Sequence, residues 1–215
     1  ESAIATGHEA VAAADVTGVD AADVVHFAIS VRNDGRGDAF DLRVSDSLPG
    51  GFRAADVGNL RILDASGATV DFTRGGVLRD PASGADIRDG AAFAAALFSA
   101  QGVEFVDPGG REGYLAGRND PCRSSGFTIA YEARLPGGVV AGSSVHNEAS
   151  VVQVADRECG ANLVDPCAPI SDRATVTIDS ARLDTRLIAT DQVHTTDSDV
   201  VVGEIMPAVV EWNEG

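Results

Sequence analysis

Short stretches in which apolar and polar residues alternate, each closed by residues that favour turns, dominate this sequence. The clearest stretches are residues 24–32, 40–46, 127–135, 145–154 and 174–178. A period of two residues is what a β-strand with one buried face requires. Asn, Gly, Pro and Asp separate the stretches, and no helical stripe competes with them. We therefore predict an all-β protein built as a sandwich or barrel.

Two pairs of these stretches are predicted to form hairpins. Residues 24–46 hold two alternating runs around Asn33-Asp34-Gly35, and residues 127–154 hold two around Pro136-Gly137-Gly138. Further short strands are expected at 60–63 and 69–73. Residues 91–98 fit a helix or a strand, and we favour a strand because eight residues is short for a helix.

Three regions follow from this pattern. Residues 1–23 are Ala- and Asp-rich, and we expect an N-terminal extension or a first strand there. Residues 24–181 are predicted to form the sandwich. Residues 182–215 are predicted to form a linker and the opening strands of a following domain, or a strand donated to another molecule. The apolar residues of that assembly strand are Val200, Val201, Val202, Ile205, Val209, Val210 and Trp212.

The charge balance restricts the partners. The net charge is -17, and all 16 basic residues are Arg. Such an acidic surface repels phosphate backbones and anionic lipid headgroups, so we expect neither nucleic acid nor membrane insertion. No apolar run approaches the roughly 18 residues that a membrane-spanning helix needs.

Clustered aspartates make calcium the candidate ligand, because Ca²⁺ prefers carboxylate oxygens. None of the clusters matches an EF-hand loop, and solvated carboxylates on an acidic surface are the alternative. The three candidate sets are Asp15, Asp20 and Asp23; Asp34, Asp38 and Asp41; and Asp191, Asp197 and Asp199.

Short motifs at both ends of residues 24–154 resemble the repeat domains of large bacterial cell-surface proteins. The motifs are Asn33-Asp34-Gly35, Asp46-Ser47-Leu48-Pro49 and Asn147-Glu148-Ala149. Val202-Gly203-Glu204-Ile205 is similar to the opening strand of a next repeat. The resemblance implies an immunoglobulin-like antiparallel β-sandwich, an extracellular location, and a role in adhesins, stalks or sheaths without catalysis.

The three cysteines, Cys122, Cys159 and Cys167, are disulfide candidates. If 127–135 and 145–154 pair as a hairpin, the register brings Cys122 near Cys159, and all three lie at one end of the sandwich. A disulfide would suit an extracellular location, but the sequence leaves the pairing open. His146 would then lie at the opposite end, which disfavours a zinc site with the cysteines.

Three function hypotheses follow. The first is a non-catalytic structural or adhesive spacer in a secreted surface protein, whose partners are neighbouring domains or further copies. The second is a filament subunit assembled by strand donation. The third is a calcium- or carbohydrate-binding module. No catalytic motif is present, so we predict no enzyme and no required cofactor. The tripeptide Arg36-Gly37-Asp38 is interpreted as coincidental in so Arg-, Gly- and Asp-rich a chain.

Overall fold

The structure is a computed structural model. It describes residues 2–6, 15–19, 23–50, 52–107, 113–135, 140, 142–178, 182–187 and 208–213. The chain divides into two compact units, Glu1–Ile178 and Asp179–Gly215. Among the described residues, none of the helical structure is long and apolar enough to cross a bilayer.

Two open sheets and one short helix make up the described part of the first unit. Its strands are β1 (Ser2–Thr6), β2 (Asp15–Val19), β3 (Val24–Arg32), β4 (Phe40–Ser47), β5 (Val57–Asp64), β6 (Thr69–Val70), β7 (Leu78–Arg79), β8 (Val103–Phe105), β9 (Gly126–Arg134), β10 (Ser144–Ala155) and β11 (Ile170–Ile178). One sheet has the order β1-β3-β9-β5-β6, and the other has the order β2-β11-β10-β4-β8-β7. This arrangement is consistent with a β-sandwich.

Both predicted hairpins are wrong, although their strands exist. β3 pairs with β9 in the first sheet, whereas β4 pairs with β10 and β8 in the second. The chain therefore changes sheets between β3 and β4 and again between β9 and β10. Alternation determines which face of a strand is buried but not which strand lies beside it. The connecting segments are also long enough to pass from one layer to the other.

The two ends of the first unit can be distinguished by the strands and loops that meet there. The first residue of β4, Phe40, pairs with the last residue of β10, Ala155, so loops 33–39 and 156–169 lie at the same pole. We call the end that carries these two loops the N-terminal pole. β1 runs away from this pole and ends at Thr6, which pairs with Val24, the first residue of β3. β11 also starts at this pole and ends at Ile178, beside the start of β10. The end marked by Ile178 is called the C-terminal pole.

One apolar core lies between the sheets. It is formed by the apolar residues of the predicted alternating strands. Val25, Phe27 and Ile29 of β3 are buried, and Val31 is partly buried against the same cluster. The second sheet contributes Leu42, Val44, Ala149, Ala174 and Val176. Burial of this apolar surface is the main driving force for joining the two sheets.

Residues 91–98 are the second correction, because they form a helix and not a strand. The helix α1 covers Gly90–Leu97, and the Asp89 side chain caps it by accepting a hydrogen bond from the Ala92 N–H at 2.8 Å. Alanine has the highest helix propensity, and Phe93 and Leu97, one turn apart, are both buried. The Asp89 cap and the high helix propensity of the alanines together favour a helix, although the segment has only eight residues.

The described part of the second unit is an antiparallel pair of strands. β12 (Arg182–Leu187) pairs with β13 (Ala208–Asn213), so that Arg182 lies opposite Asn213. Of the predicted assembly strand, Val209, Val210 and Trp212 lie in β13 and thus pair within their own chain. Val200, Val201, Val202 and Ile205 lie outside the described residues.

Candidate functional site

A polar cleft of about 590 Å³ lies at the N-terminal pole, at the end of the second sheet. Charged residues of β4, β7 and β8 and of two neighbouring loops line it. The charged lining residues are Asp41, Arg43, Arg79, Glu104, Asp107 and Glu158. In the middle of β4, Leu42 and Val44 are buried while Arg43 between them faces outward, so the alternation that builds the core also provides the charged wall of the cleft.

One wall of the cleft is a three-residue ion-pair network. Glu104 lies directly opposite Arg43 on one side and Arg79 on the other in the strand register. Its carboxylate accepts from Arg43 Nη2 at 3.2 Å and from Arg79 Nη1 at 2.9 Å. Glu104 is only 16% exposed, so solvent screens these pairs less than it screens surface pairs. The network joins three neighbouring strands across the outer face of the sheet.

The other wall of the cleft carries the carboxylates of Asp41, Asp107 and Glu158. Asp107 Oδ2 accepts from the Asp41 backbone N–H at 3.4 Å, and its Oδ1 is buried without a hydrogen-bond partner in the described part of the chain. Burial raises the pKa of the Asp107 carboxyl, and the neighbouring Asp41 and Glu158 carboxylates raise it further. Asp41 and Cys159 both have left-handed backbone conformations, with φ of 50° and 53°.

This geometry resembles neither a metal centre nor a nucleophilic site. Within the described ranges, no group of three or more His, Cys, Asp or Glu side chains could hold a metal ion. No histidine is among the described residues that line the cleft, so the Cys159 thiol has no imidazole there to activate it. The cleft presents carboxylates on one wall and, on the other, two arginines that share the single Glu104 carboxylate.

A second polar group lies inside the core and links the two sheets. Asp46 of β4 is 4% exposed, and its Oδ2 accepts from the Tyr131 hydroxyl of β9 at 2.6 Å. Its Oδ1 accepts from Asn147 Nδ2 of β10 at 2.8 Å. Burial raises the pKa of Asp46, while the bonds from Tyr131 and Asn147 oppose that shift. Because Tyr131 and Asp46 belong to different sheets, their bond connects the layers directly. We call these three residues the polar bridge.

The polar bridge explains two of the three motifs behind the surface-repeat resemblance. Asp46 begins the Asp-Ser-Leu-Pro motif, and Asn147 begins the Asn-Glu-Ala motif. A buried carboxylate and a buried amide each require a partner, and here each is the partner of the other. The first residues of these two motifs therefore form a hydrogen bond inside the core of the first unit.

The third motif organises the loops at the N-terminal pole. Asn33 Nδ2 donates to the carbonyl oxygens of Gly37 at 2.9 Å and Ala116 at 3.1 Å, and its Oδ1 accepts from the Gly35 N–H. This side chain thus holds the turn 33–37 together and ties it to the segment 113–118. Gly117 is required at that contact, because a Cβ there would collide with the Arg36 carbonyl oxygen.

The Arg-Gly-Asp tripeptide has its acidic group already engaged. Asp38 Oδ2 forms a 2.6 Å ion pair with Arg123 Nη1, and Asp38 Oδ1 accepts from the Gly117 N–H at 3.0 Å. Arg123 holds the pKa of Asp38 below its usual range. A partner of the tripeptide would have to compete with Arg123 for this carboxylate.

The aspartates predicted to bind calcium are not gathered into a site among the described residues. Asp34 pairs with Arg32, Asp38 with Arg123, and Asp41 accepts from the Gly160 N–H at 3.2 Å. Asp15 lies in β2 and Asp23 precedes β3, whereas Asp20 lies outside the described residues. Asp191, Asp197 and Asp199 also lie outside them. The calcium prediction therefore has no support in the described part of the chain.

The three cysteines lie in loops at the same pole. Cys122 precedes β9, and Cys159 and Cys167 lie in the loop between β10 and β11. All three belong to the described residues, and each thiol is free and exposed. The predicted disulfide is absent, and the hairpin register that suggested one is wrong.

Sequence reasoning missed the functional interest of Asp46, although a signal was present. Leu42, Val44 and Asp46 follow one another at a spacing of two, so the alternation itself assigns the aspartate to the buried face. Glu104 and Asp107 offered no such signal, because their partners are distant in sequence.

Comparisons with known proteins leave the family open. No family model and no curated protein matches the sequence. Among solved structures, AvmM, described as catalysing macrocyclization in alchivemycin A biosynthesis, is similar with a TM-score of 0.33 and 15% identity. The match covers 83% of this chain and 88% of that one. A likeness this distant carries no argument about function.

Proposed function

We propose that this chain is a non-catalytic structural or adhesive domain of a secreted bacterial surface protein, in which it acts as a spacer. The observation that carries the proposal is the direction of the terminal strands. β1 and β11 both run in the direction that leads from the N-terminal pole to the C-terminal pole, and β11 spans the unit and ends at the C-terminal pole. Such a unit adds its own length to a string of domains.

The strand order supports the finer assignment of an immunoglobulin-like sandwich. In that fold one sheet has the strand order A-B-E-D and the other contains C, F and G. The series β1-β3-β9-β5 matches the first order, and β4-β10-β11 matches the second. The parallel pairing of β2 with β11 fits a first strand that switches from one sheet to the other.

The polar bridge supports the proposed structural role. Tyr131, Asp46 and Asn147 are at most 4% exposed, and a buried hydrogen bond joins the sheets where hydrophobic contact alone would allow them to slide. Both carboxylate oxygens of Asp46 accept hydrogen bonds in this network, and such directional buried bonds favour one packing arrangement over its alternatives. The partners we propose are neighbouring domains or further copies of the chain. No cofactor is required, and calcium remains a candidate ligand.

Location provides the first test. Antibodies raised against the purified chain would be applied to intact and permeabilised cells of the producing organism, with immunogold detection. We expect label on the outer surface or in the medium before permeabilisation, with a cytoplasmic protein as the control. Label that appears only after permeabilisation would refute the proposal.

A further inference from the structure

The arginine wall of the cleft, formed by Arg43, Arg79 and Glu104, carries more positive charge than its single carboxylate neutralises. Arg43 Nη2 and Arg79 Nη1 each donate to a different oxygen of Glu104, at 3.2 Å and 2.9 Å. A guanidinium has five N–H donors. Arg43 is 30% exposed and Arg79 is 40% exposed, so further donors of both can be reached from the cleft. Because two cations share one carboxylate, this wall can still receive an anionic group.

The carboxylate wall, formed by Asp41, Asp107 and Glu158, has the opposite imbalance. None of these three carboxylates forms an ion pair in the described part of the chain. Asp107 Oδ1 is buried and lacks a hydrogen-bond partner there, so the protein does not compensate the ionised form of this side chain. Asp41 and Glu158 lie close enough to Asp107 to raise its pKa by repulsion. A cation bound at this wall would relieve that repulsion.

The arrangement of these carboxylates favours an organic cation over a metal ion. Within the described ranges, no group of three or more His, Cys, Asp or Glu side chains could hold a metal ion. An ammonium group binds through three separate N–H donors with acceptors about 2.8 Å away, so it tolerates a wider spacing than direct metal coordination does. The cleft volume of about 590 Å³ is that of a small-molecule site. The carboxylate wall therefore suits an amine.

The strand geometry sets how far apart the two charges of a ligand should be. Asp41 and Arg43 are two residues apart on β4, and both line the cleft. Their Cα atoms are thus roughly 7 Å apart. Two extended residues also span roughly 7 Å. The ammonium and carboxylate ends of a dipeptide, or of an ω-amino acid of the same length, can therefore reach both walls at once.

We propose that the cleft binds a small zwitterion of this length, with its ammonium group at Asp41 and Asp107. The carboxylate of the ligand accepts hydrogen bonds from Arg43 and Arg79. The requirement for both charges distinguishes this site from the general attraction of cations to a chain with a net charge of -17. This binding activity goes beyond the proposed structural role and does not depend on it.

Amide chemical-shift titration of the full chain with ε-aminocaproate, an ω-amino acid of suitable length, provides the test. We expect saturable shifts of the Asp41 and Gly160 amides, since the Gly160 N–H donates to Asp41 at the cleft. Caproate lacks the ammonium group and hexylamine lacks the carboxylate. Each should bind at least about tenfold more weakly, because each loses one set of charge-assisted hydrogen bonds. No saturable shift with ε-aminocaproate, or equally tight binding of hexylamine, would overturn the proposal.

Asp107→Asn and Arg43→Gln test the two walls separately. Each should weaken the binding of ε-aminocaproate by about tenfold or more, whereas Asp107→Asn should not weaken the binding of caproate. Asp34→Asn is the matched control, because it removes the same charge from a side chain that is about 70% exposed and does not line the cleft. Equal effects of Asp107→Asn and Asp34→Asn would overturn the proposal, since both would then act only through the net charge.

Glycylglycine and glycine test the predicted length of the ligand. Glycylglycine should shift the same amides as ε-aminocaproate, and glycine, which is half as long, should bind at least about tenfold more weakly because it cannot reach both walls. Glycine that binds as tightly as glycylglycine would contradict the two-wall arrangement. Calcium chloride that shifts these amides when neither zwitterion does would overturn the proposal in favour of a metal site.

Discussion

Removing one hydroxyl from the polar bridge should destabilise the first unit in a pH-dependent way. Tyr131→Phe keeps the ring stacked on Phe27 at 5.2 Å but deletes the 2.6 Å bond to Asp46. A buried hydrogen bond to a charged group contributes about 1.5–3 kcal/mol, and one to a neutral group about 1 kcal/mol. We therefore expect a loss of about 2 kcal/mol above the folded-state pKa of Asp46, where the carboxylate is ionised, and about 1 kcal/mol below it.

The sign of the pH dependence follows from the pKa of Asp46. Burial raises it above the ordinary 3.8, so the stability that Asp46 contributes is fully present below 3.8 and is lost as the pH rises through the folded-state pKa. The Tyr131 hydroxyl reduces that loss, because it stabilises the ionised form. The difference in stability between wild type and Tyr131→Phe should consequently grow as the pH rises through the folded-state pKa of Asp46.

Urea unfolding followed by far-UV circular dichroism at several pH values measures this difference. Tyr114→Phe is the matched control, because the Tyr114 hydroxyl forms no hydrogen bond in the described part of the chain and its ring packs on Phe105 and Phe127. The control should change stability by no more than about 0.5 kcal/mol. Equal effects of the two substitutions, or a Tyr131→Phe effect that is constant with pH, would refute the reasoning.

Three further predictions concern the loops and the cleft. Gly117→Ala should cost about 1–3 kcal/mol by forcing two loops apart, whereas Gly37→Ala, whose Cβ meets nothing within 4 Å, should be nearly neutral in the same urea assay. Asp38→Asn should lower the free energy of unfolding by about 1 kcal/mol near neutral pH. This loss should disappear as the pH falls through the lowered pKa of Asp38. The control Asp34→Asn breaks an ion pair that is about 70% exposed and should change stability little. Asp107→Asn should raise the melting temperature near neutral pH, because burial raises the pKa of that carboxyl, and the gain should vanish below 3.8; a variant that melts lower than wild type would contradict this assignment.

The buried faces of the strands were predictable from the sequence, but their neighbours were not. The alternation of Val25, Phe27 and Ile29 specified a buried face, and that face forms part of the core. The same alternation is compatible with any partner strand, so it does not reveal that β3 and β4 belong to different sheets. Sheet crossings depend on loop paths and on total core packing, which no local pattern encodes.

The candidate site was less predictable than the fold. Asp46 could have been assigned to the core from its spacing to Val44, and the need for a partner would then have pointed to a buried donor. The cleft depends on contacts such as Asp41 with Asp107, which lie 66 positions apart, and no local spacing anticipates them. The helix α1 was missed because its length was given more weight than the Asp89 cap and the alanine content.

Single-molecule force spectroscopy of the full chain, pulled by its two ends, tests the spacer role most directly. Because β1 and β11 run in the same direction and would be pulled from opposite ends, force loads their pairing with β3 and β2 along the strands, and all those bonds must break together. We predict one cooperative event for Glu1–Ile178 that releases roughly 60 nm of chain, at a force that Tyr131→Phe lowers and Tyr114→Phe leaves unchanged. Gradual extension without a force peak, or a series of small steps in place of the single event, would contradict the account.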